Sequence, residues 1–240
     1  MSRVVSRLAG GGFASRVAYQ IARAITATIT RLYTRMVIDG REHLPSAGAF
    51  VLAPVHRSYV DTPIACCVTR RRLRYMGKDT LWNNGAFGWL LSALGGFPVT
   101  RGTADREALR RCIEVLGMGE VLVLYPEGER KDGPIVQPLF DGAAYVAAKA
   151  GAPIVPVGIG GSDRVMPRGA RFVYPRKVHI VIGSPIPAPI SAGDRLPRTV
   201  LKEHSDRLHT ELQLLYDEAQ RRVGRTIDTR QGTPEDGSAK

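Results

Sequence analysis

The sequence predicts one α/β domain, with a largely parallel or mixed central sheet flanked by helices and an amphipathic segment at its N-terminus. From residue 49 onward, short apolar runs alternate with stretches of helical spacing, which is typical of helices laid over a sheet. Residues 121–125 are an uninterrupted apolar run, as expected of a strand buried on both faces. We expect the domain to span residues 38–223, between an N-terminal helical segment over 1–37 and a disordered tail over 224–240.

The N-terminal segment is distinctive because residues 1–36 include several arginines and no acidic residue. The glycines at 10–12 divide it into a short first helix and a longer second helix. On a helical wheel, one face of the second helix is apolar and consists of Val17, Ile21, Ile25, Ile29, Leu32 and Met36. The opposite face carries Arg16, Gln20, Arg23, Thr30 and Thr34. This pattern suits either an anionic membrane surface or a helix packed on its own domain, and the missing acids favour the membrane.

The remaining elements follow from apolar runs and from turn residues. Strands are predicted over residues 49–54, 73–77, 97–100, 121–125, 154–159 and 178–182. Helices are predicted near residues 63–69, 87–94, 104–118, 141–150 and 199–223. Gly151 stands where the C-cap of the 141–150 helix is expected.

Composition limits the partners and the compartment. The chain of 240 residues carries a formal net charge of +12, so its partners are expected to be anionic: nucleic acid, acidic lipid or phosphorylated small molecules. An odd number of cysteines, Cys66, Cys67 and Cys112, argues against a disulfide framework and for a reducing compartment. No cysteine or histidine spacing suggests a metal site.

No stretch reaches the ~18 apolar residues of a spanning helix. With no cleavable signal either, we expect a peripheral or monotopic protein on the cytoplasmic side of the plasma membrane.

The most informative stretch is an apolar strand that runs into His56, with Asp61 five positions later. An extended chain would hold the two side chains up to ~17 Å apart, and a helix would put them on different faces, so contact requires a turn. In such a turn the Asp61 carboxylate accepts from one imidazole nitrogen and raises the basicity of the other. Each residue also has an ordinary explanation, His56 as a loop residue and Asp61 as a helix N-cap two residues before Pro63.

Charged residues follow two other predicted strands. Arg101 follows the strand at 97–100, and Glu127 and Arg130 follow the longest apolar run. Because the carboxyl ends of parallel strands meet at one edge of a sheet, we expect these side chains beside His56. Two arginines near a polarised histidine indicate a site for a phosphate or carboxylate group.

Four blocks, in this order, resemble the glycerolipid acyltransferase family of the 1-acyl-sn-glycerol-3-phosphate acyltransferase type, which is PlsC-like and carries an HxxxxD motif. His56 to Asp61 matches that motif, and residues 96–101 resemble a second block that ends in arginine. Residues 126–130 resemble the PEGxR block, and residues 154–157 resemble an apolar fourth block that contains proline. The joint occurrence of the blocks is far more specific than any one of them.

The resemblance covers roughly residues 38–190 and implies a reaction. His56 would be the general base, oriented by Asp61, and backbone N–H groups near the helix start would stabilise the oxyanion. Acyl-CoA or acyl-ACP would be the co-substrate, and the acceptor would be the free hydroxyl of 1-acyl-sn-glycerol 3-phosphate. The product would be phosphatidic acid, formed in phospholipid synthesis without a cofactor. Ser58 lies close to His56 but lacks the GxSxG context of a nucleophile.

The resemblance also implies roles for residues around the base. Arg101, Arg130 and Lys78 would hold the acceptor phosphate, although Lys78 could equally be a solvated residue at a helix start. Glu127 and Gly128 would support the site, with Glu127 bracing the arginines or the loop rather than acting as a second base.

Two positions depart from the family pattern. Val55 precedes the histidine where asparagine is frequent, and Glu129 precedes Arg130 where threonine is frequent. A carboxylate at 129 would pair with Arg130 or repel a phosphate, which leaves the acceptor open. Alternative reactions are acylation of another lysophospholipid or a glycolipid, CoA-independent transacylation, and hydrolysis of the thioester. A basic nucleic-acid-binding protein is the non-enzymatic alternative, and it is disfavoured because the basic residues are dispersed among apolar strands without a recognition motif.

Overall fold

The computed structural model describes residues 13–85, 88, 91–92, 94–99, 106–189 and 196–225, with the backbone alone at residues 14, 15, 78 and 99. The helices are α1 (Phe13–Thr34), α2 (Asp61–Ala65), α3 (Arg106–Gly117), α4 (Gly142–Ala150), α5 (Ser162–Val165) and α6 (Arg198–Arg222). The strands are β1 (Val37–Asp39), β2 (Phe50–Pro54), β3 (Leu73–Lys78), β4 (Gly96–Val99), β5 (Val121–Val123), β6 (Ile154–Gly160) and β7 (His179–Ile182). Short 3₁₀ turns span Arg41–His43 and Asp79–Trp82.

The strands form one seven-stranded sheet in the order β1-β7-β6-β2-β5-β3-β4. Neighbouring strands are parallel except β6 and β7, which are antiparallel. The predicted α/β class with a mixed, largely parallel sheet is therefore confirmed. Because β2, β3, β4, β5 and β6 run the same way, their carboxyl ends share one edge of the sheet.

The centre of the core is formed by β2 and β6, whose residues are buried throughout. Helix α6 crosses β6 at very short range, and two glycines of that strand make this approach possible. A Cβ atom at Gly158 would lie 2.2 Å from the carbonyl oxygen of Leu215, and one at Gly160 would lie 2.2 Å from that of Ala219. Strand β6 therefore needs glycine at these two positions, where the backbone of α6 approaches it.

Helix α1 lies on the domain with its apolar stripe turned outward. The exposed residues include Phe13, Val17, Ile21, Ile25, Ile29 and Leu32. The opposite side is packed, and its buried members are Tyr19, Arg23, Ala27 and Thr34. The predicted stripe is present, but an ordinary amphipathic helix would bury it, and this helix buries the other side.

Arginines on the packed side of α1 bind carbonyls just beyond the end of α2. Arg23 donates through Nε and Nη2 to the carbonyl oxygen of Thr69, at 3.0 and 2.7 Å. Arg31 and Arg41 donate to the carbonyl oxygen of Cys67, at 2.9 and 3.0 Å. Carbonyls at a helix end lack intrahelical donors, and the guanidinium groups satisfy them. The packed side of α1 therefore contacts the domain through Arg23, while its apolar stripe stays exposed.

Several boundaries differ from the predicted ones. Helix α2 begins at Asp61 and is followed by single turns, in which Cys67 N and Val68 N donate three residues back. Strand β1 was not predicted, since its three residues are stabilised by distant pairing with β7. The predicted short first helix, the 224–240 tail from residue 226 onward and much of the 87–94 helix lie outside the described residues. Within the described part of the chain, no helix is long and apolar enough to cross a membrane.

Candidate active site

The centre of the candidate site is a contact between His56 and Asp61 on the loop that connects β2 to α2. The imidazole Nδ1 of His56 lies 2.9 Å from Oδ2 of Asp61. Asp61 is fully buried, whereas the His56 side chain is 14% exposed. The predicted turn is present, and it leaves Nε2 of His56 as the imidazole nitrogen available to a substrate.

One carboxylate oxygen of Asp61 organises the whole loop. Besides the imidazole, Oδ2 accepts from the backbone N–H groups of Arg57 and Ser58, each at 2.7 Å. The other oxygen, Oδ1, is buried and has no hydrogen-bond partner among the described residues. The N-cap alternative is not observed, because the N-cap of α2 is Val60 and the amides bound by Asp61 precede the helix.

Three backbone amides of the histidine loop already have acceptors. The N–H groups of Arg57 and Ser58 donate to Asp61, and that of His56 lies 3.3 Å from Oε2 of Glu127. These amides serve the loop itself, since buried carboxylates need donors. The predicted oxyanion site near the start of α2 therefore does not include them and stays a prediction.

The imidazole plane of His56 is held by an aromatic neighbour. The ring of Tyr125 stacks on it with centroids 4.0 Å apart and planes inclined by 20°. Burial, together with the negative charge of Asp61, raises the pKa of Tyr125 well above its usual value, so the phenol stays neutral. Its hydroxyl oxygen lies 3.5 Å from Oγ1 of Thr62. The neutral aromatic ring of Tyr125 therefore packs on the imidazole of His56 and helps to fix its orientation.

Glu127 braces the histidine loop through an arginine that the sequence did not single out. Arg57 donates from Nη1 to Oε2 of Glu127 at 2.6 Å and to the carbonyl oxygen of His56 at 3.1 Å. Both charged side chains are buried. Burial alone would lower the pKa of Arg57, but the hydrogen bond and charge of Glu127 raise it above its usual value. Arg57 therefore stays charged, and its bonds to Glu127 and to the carbonyl oxygen of His56 fix the position of the histidine backbone.

The segment that follows β5 closes over this pair. Oε1 of Glu127 accepts from the backbone N–H of Gln137 at 2.9 Å, and Lys131 N donates to the carbonyl oxygen of His56 at 2.9 Å. Gly128 has φ +74°, and a Cβ there would lie 2.7 Å from the ring of Phe140. The glycine of the PEGxR block is thus required by both its backbone conformation and its close neighbour.

The predicted phosphate ligands are placed only in part. The guanidinium group of Arg130 stacks on the ring of Tyr59, 3.3 Å from its centroid, in the loop that also carries His56. Arg101 lies outside the described residues. Lys78 ends β3 and is paired in register with Val99 of β4, and only its backbone is described.

Three further sequence observations now have a structural context. Val55 is buried in the core and its N–H bonds to the carbonyl oxygen of Val157, so an apolar side chain is accommodated before His56. Glu129 forms an ion pair with Lys131 at 2.8 Å. The hydroxyl of Ser58 donates to the carbonyl oxygen of Met166 at 2.8 Å, which turns it away from the role of a nucleophile.

Comparison with known proteins decides the family. A family model described as Acyltransferase matches residues 35–160, more than half of the chain. The chain belongs to the acyltransferase family. The matched range includes His56, Asp61, Glu127 and Arg130, and it confirms the resemblance drawn from the sequence blocks.

Curated relatives are named as 1-acyl-sn-glycerol-3-phosphate acyltransferases. A chloroplastic one from Brassica napus is 29% identical over 62% of this chain and 44% of its own length. One from Arabidopsis thaliana is 30% identical over 64% of this chain and 44% of its own length. One from Bacillus subtilis is 27% identical over 70% of this chain and 82% of its own length. The chain thus spans less than half the length of the plant relatives.

A solved structure shares the fold. The crystal structure of the 1-acyl-sn-glycerophosphate acyltransferase PlsC from Thermotoga maritima superposes with a TM-score of 0.71 at 21% identity. The match covers 89% of this chain and 83% of the other.

Among the described residues, no group of three or more His, Cys, Asp or Glu side chains is arranged to hold a metal ion.

Proposed function

We propose that the chain transfers a fatty acyl group from acyl-CoA or acyl-ACP to the free hydroxyl of 1-acyl-sn-glycerol 3-phosphate and so forms phosphatidic acid. The observation that carries the proposal is the bond between His56 Nδ1 and Asp61 Oδ2, with the histidine partly exposed and the carboxylate buried. The names of the relatives supply the substrate class.

In the proposed mechanism His56 moves one proton between two substrates. Its Nε2 removes the proton of the acceptor hydroxyl while that oxygen bonds to the thioester carbonyl carbon. The tetrahedral intermediate collapses as the carbon–sulfur bond breaks, and the imidazolium returns the proton to the leaving thiolate. Asp61 stabilises the transient imidazolium through Nδ1. The products are an ester and a free thiol, and no acyl-enzyme forms.

The acceptor phosphate is proposed to bind to Arg101, Arg130 and Lys78. Support comes from the shared edge of the sheet, since β3 and β4 end side by side at Lys78 and Val99. Arg130 is stacked on Tyr59, a residue of the loop that also carries His56, and this contact gives its guanidinium group a fixed plane. A planar guanidinium of this kind suits a bidentate contact with phosphate.

We also propose that α1 attaches the protein to an anionic membrane as a peripheral protein on the cytoplasmic side. Its exposed stripe includes Ile21, Ile25 and Ile29, each more than half exposed. Acids are absent from residues 13–36, and the net charge of +12 favours an anionic surface. Lipid acceptors reside in that surface, so attachment would bring the base to its substrate.

A panel of acceptors tests the proposed reaction. The purified protein is given one acyl-CoA with lysophosphatidic acid, with other lysophospholipids or with a glycolipid, and products are identified by mass spectrometry. We expect phosphatidic acid from lysophosphatidic acid and little product from acceptors that lack a terminal phosphate. Free thiol that appears at the same rate without any acceptor would contradict transfer and indicate thioester hydrolysis.

A further inference from the structure

A second exposed apolar surface lies on the segment between α5 and β7. Phe172 is 72% exposed, and Val173 and Tyr174 are also exposed. The segment from 164 to 178 contains no acidic residue, and its basic residues are Arg164, Arg168, Arg171, Arg176 and Lys177. Large apolar side chains surrounded by cations are unusual on a face that meets only water.

This segment is fastened directly to the end of α1. The hydroxyl of Tyr33 donates to the carbonyl oxygen of Val173 at 2.6 Å. The backbone N–H of Val178 donates to the carbonyl oxygen of Thr34 at 3.0 Å. The outward stripe of α1 therefore continues, through Tyr33, into the exposed aromatic residues.

A cavity with basic walls lies under the same segment. It has a volume of about 460 Å³ and is lined by Arg164, Pro167, Tyr174 and Arg176. Two guanidinium groups beside a phenol suit a phosphate group, since each presents donors and no competing acceptor charge. The lining residues belong to α5 and to the segment between α5 and β7, whereas His56 belongs to the loop between β2 and α2 and Asp61 to the start of α2.

We infer that residues 168–177, together with Arg164, form a second bilayer contact, in which Phe172 and Tyr174 enter the interface and Arg164 and Arg176 bind a lipid headgroup phosphate. The inference rests on the proposed attachment of α1. An anionic bilayer is the occupant that the charge favours, because a second copy of this chain would bring the same cations into opposition. Aromatic side chains beside arginines suit the boundary between headgroups and acyl chains.

A second contact would fix the orientation of the domain relative to the membrane surface. The stripe of α1 provides one line of contact, and a second contact beside its end would resist rocking of the domain about that line. The segment is tied to the histidine loop by the bond from Ser58 Oγ to the carbonyl oxygen of Met166. The second contact would therefore hold the loop of His56 next to the lipid surface.

Vesicle co-sedimentation tests the contact with matched substitutions. Phe172→Asp is compared with Met118→Asp, which changes an apolar residue of similar exposure in the turn before β5. That turn lies at the amino end of β5, whereas residues 168–177 follow the carboxyl end of the parallel strand β6. On vesicles of phosphatidylcholine with phosphatidylglycerol, we expect Phe172→Asp to bind about tenfold more weakly or worse. Met118→Asp is expected to bind like the unchanged protein. Arg176→Gln is expected to lose about fivefold on these vesicles and nothing on phosphatidylcholine alone.

Different results would contradict attachment by α1 and the second contact at residues 168–177. Ile25→Asp, on the α1 stripe, abolishes binding if α1 is the primary attachment. Unchanged binding of Phe172→Asp, beside loss of binding by Ile25→Asp, would overturn the second contact and leave the attachment of α1 standing. Absence of vesicle binding by the unchanged protein would overturn both. The thermal unfolding midpoint of each variant separates lost contact from lost fold.

A direct probe distinguishes contact with acyl chains from an indirect effect. Phe172→Trp is compared with Met118→Trp on vesicles whose acyl chains carry bromine, and the unchanged protein provides the background of its own tryptophans. We expect quenching at position 172 and none at 118. Equal quenching at both positions would contradict the inference. So would loss of self-association in Phe172→Asp without a change in vesicle binding, which would assign the surface to a second copy of the chain.

Discussion

A single carboxylate oxygen determines the geometry of the base. Oδ2 of Asp61 binds the imidazole and two backbone N–H groups, so the position of the ring and the path of the loop depend on the same atom. Three donors on one buried oxygen hold the carboxylate, and with it the imidazole, in one orientation. Orientation of His56 is therefore built into the loop before any substrate binds.

Replacement of this carboxylate tests its role at the residue scale. We expect Asp61→Asn to reduce kcat by ~10³–10⁴-fold, because the amide removes the charge and permits the wrong imidazole tautomer. Initial rates at saturating acyl-CoA measure the effect. Asp206→Asn, at an exposed aspartate paired with Lys202, is the control and should leave the rate unchanged. A loss of less than tenfold in Asp61→Asn would contradict the orienting role.

The buried pair of Arg57 and Glu127 should be needed for stability as well as for position. Glu127→Gln leaves a buried guanidinium without its counter-ion, which typically costs ~3–5 kcal/mol in the free energy of unfolding. Denaturant titration measures this loss. Glu107→Gln, at an exposed pair with Arg110, should change stability little because water already screens that pair. Equal effects of the two substitutions would contradict the importance of burial.

The sequence predicted the His56–Asp61 contact because the two residues are close along the chain and a turn suffices to join them. Arg57 and Glu127 are 70 positions apart, and their pairing depends on β2 lying beside β5. The local pattern of residues in the sequence does not indicate that β2 and β5 are neighbours in the sheet. Glu127 was expected to brace arginines or the loop, and the specific partner, Arg57, became visible only in the folded chain.

At the scale of elements, α6 packs with its backbone directly against β6. The strand reads as a buried apolar run, and its glycines allow the helix backbone to lie directly on the sheet. This packing stabilises the strand next to the site, because β6 pairs with β2, and β2 leads to His56.

A methyl group added at Gly158 should disrupt the close packing of α6 on β6. Gly158→Ala would place Cβ 2.2 Å from the carbonyl oxygen of Leu215, so α6 must move away from the sheet. Overpacking of a core typically costs ~1–3 kcal/mol, and backbone atoms have less room to adjust than side chains. Gly117→Ala, with nothing within 4 Å of the new Cβ, is the matched control. Thermal unfolding should separate the two, and equal midpoints would contradict close backbone packing.

Helix α1 illustrates what periodicity can and cannot predict. The spacing of Val17, Ile21, Ile25 and Ile29 predicts a helix with one apolar side, and that helix is observed. Periodicity does not state which side faces the domain. The direction is decided by distant groups, since the carbonyls of Cys67 and Thr69 need donors that Arg31 and Arg23 supply.

At the scale of the whole molecule, the positive charge has two uses. Some arginines stabilise the fold by binding carbonyls, as Arg23 and Arg41 do. Others stand around the apolar surfaces of α1 and of residues 168–177, where an anionic bilayer is the proposed partner. A net charge therefore indicates the sign of a partner but not which cations meet it.

Thiol reactivity should report unfolding of the whole molecule. Burial raises the pKa of Cys67 to about 11 and that of Cys112 to about 12. At pH 8 the thiolate fraction of Cys67 is then on the order of one in a thousand, and reagent access is blocked as well. We expect slow labelling by a thiol-specific reagent in the native protein and rapid labelling in denaturant. Rapid labelling under native conditions would contradict the buried placement of these cysteines.

The central claim is that His56 acts as the base for acyl transfer to a lipid hydroxyl. The most direct measurement is the rate of phosphatidic acid formation from acyl-CoA and lysophosphatidic acid by His56→Ala. His43→Ala, at a histidine bonded to the carbonyl oxygen of Ile182, is the matched control, and the unfolding midpoint of each variant verifies its fold. We expect His56→Ala to lose at least ~10³-fold in rate with a native unfolding midpoint, while His43→Ala retains activity. Phosphatidic acid formed by folded His56→Ala at a rate close to that of the unchanged protein would contradict the account.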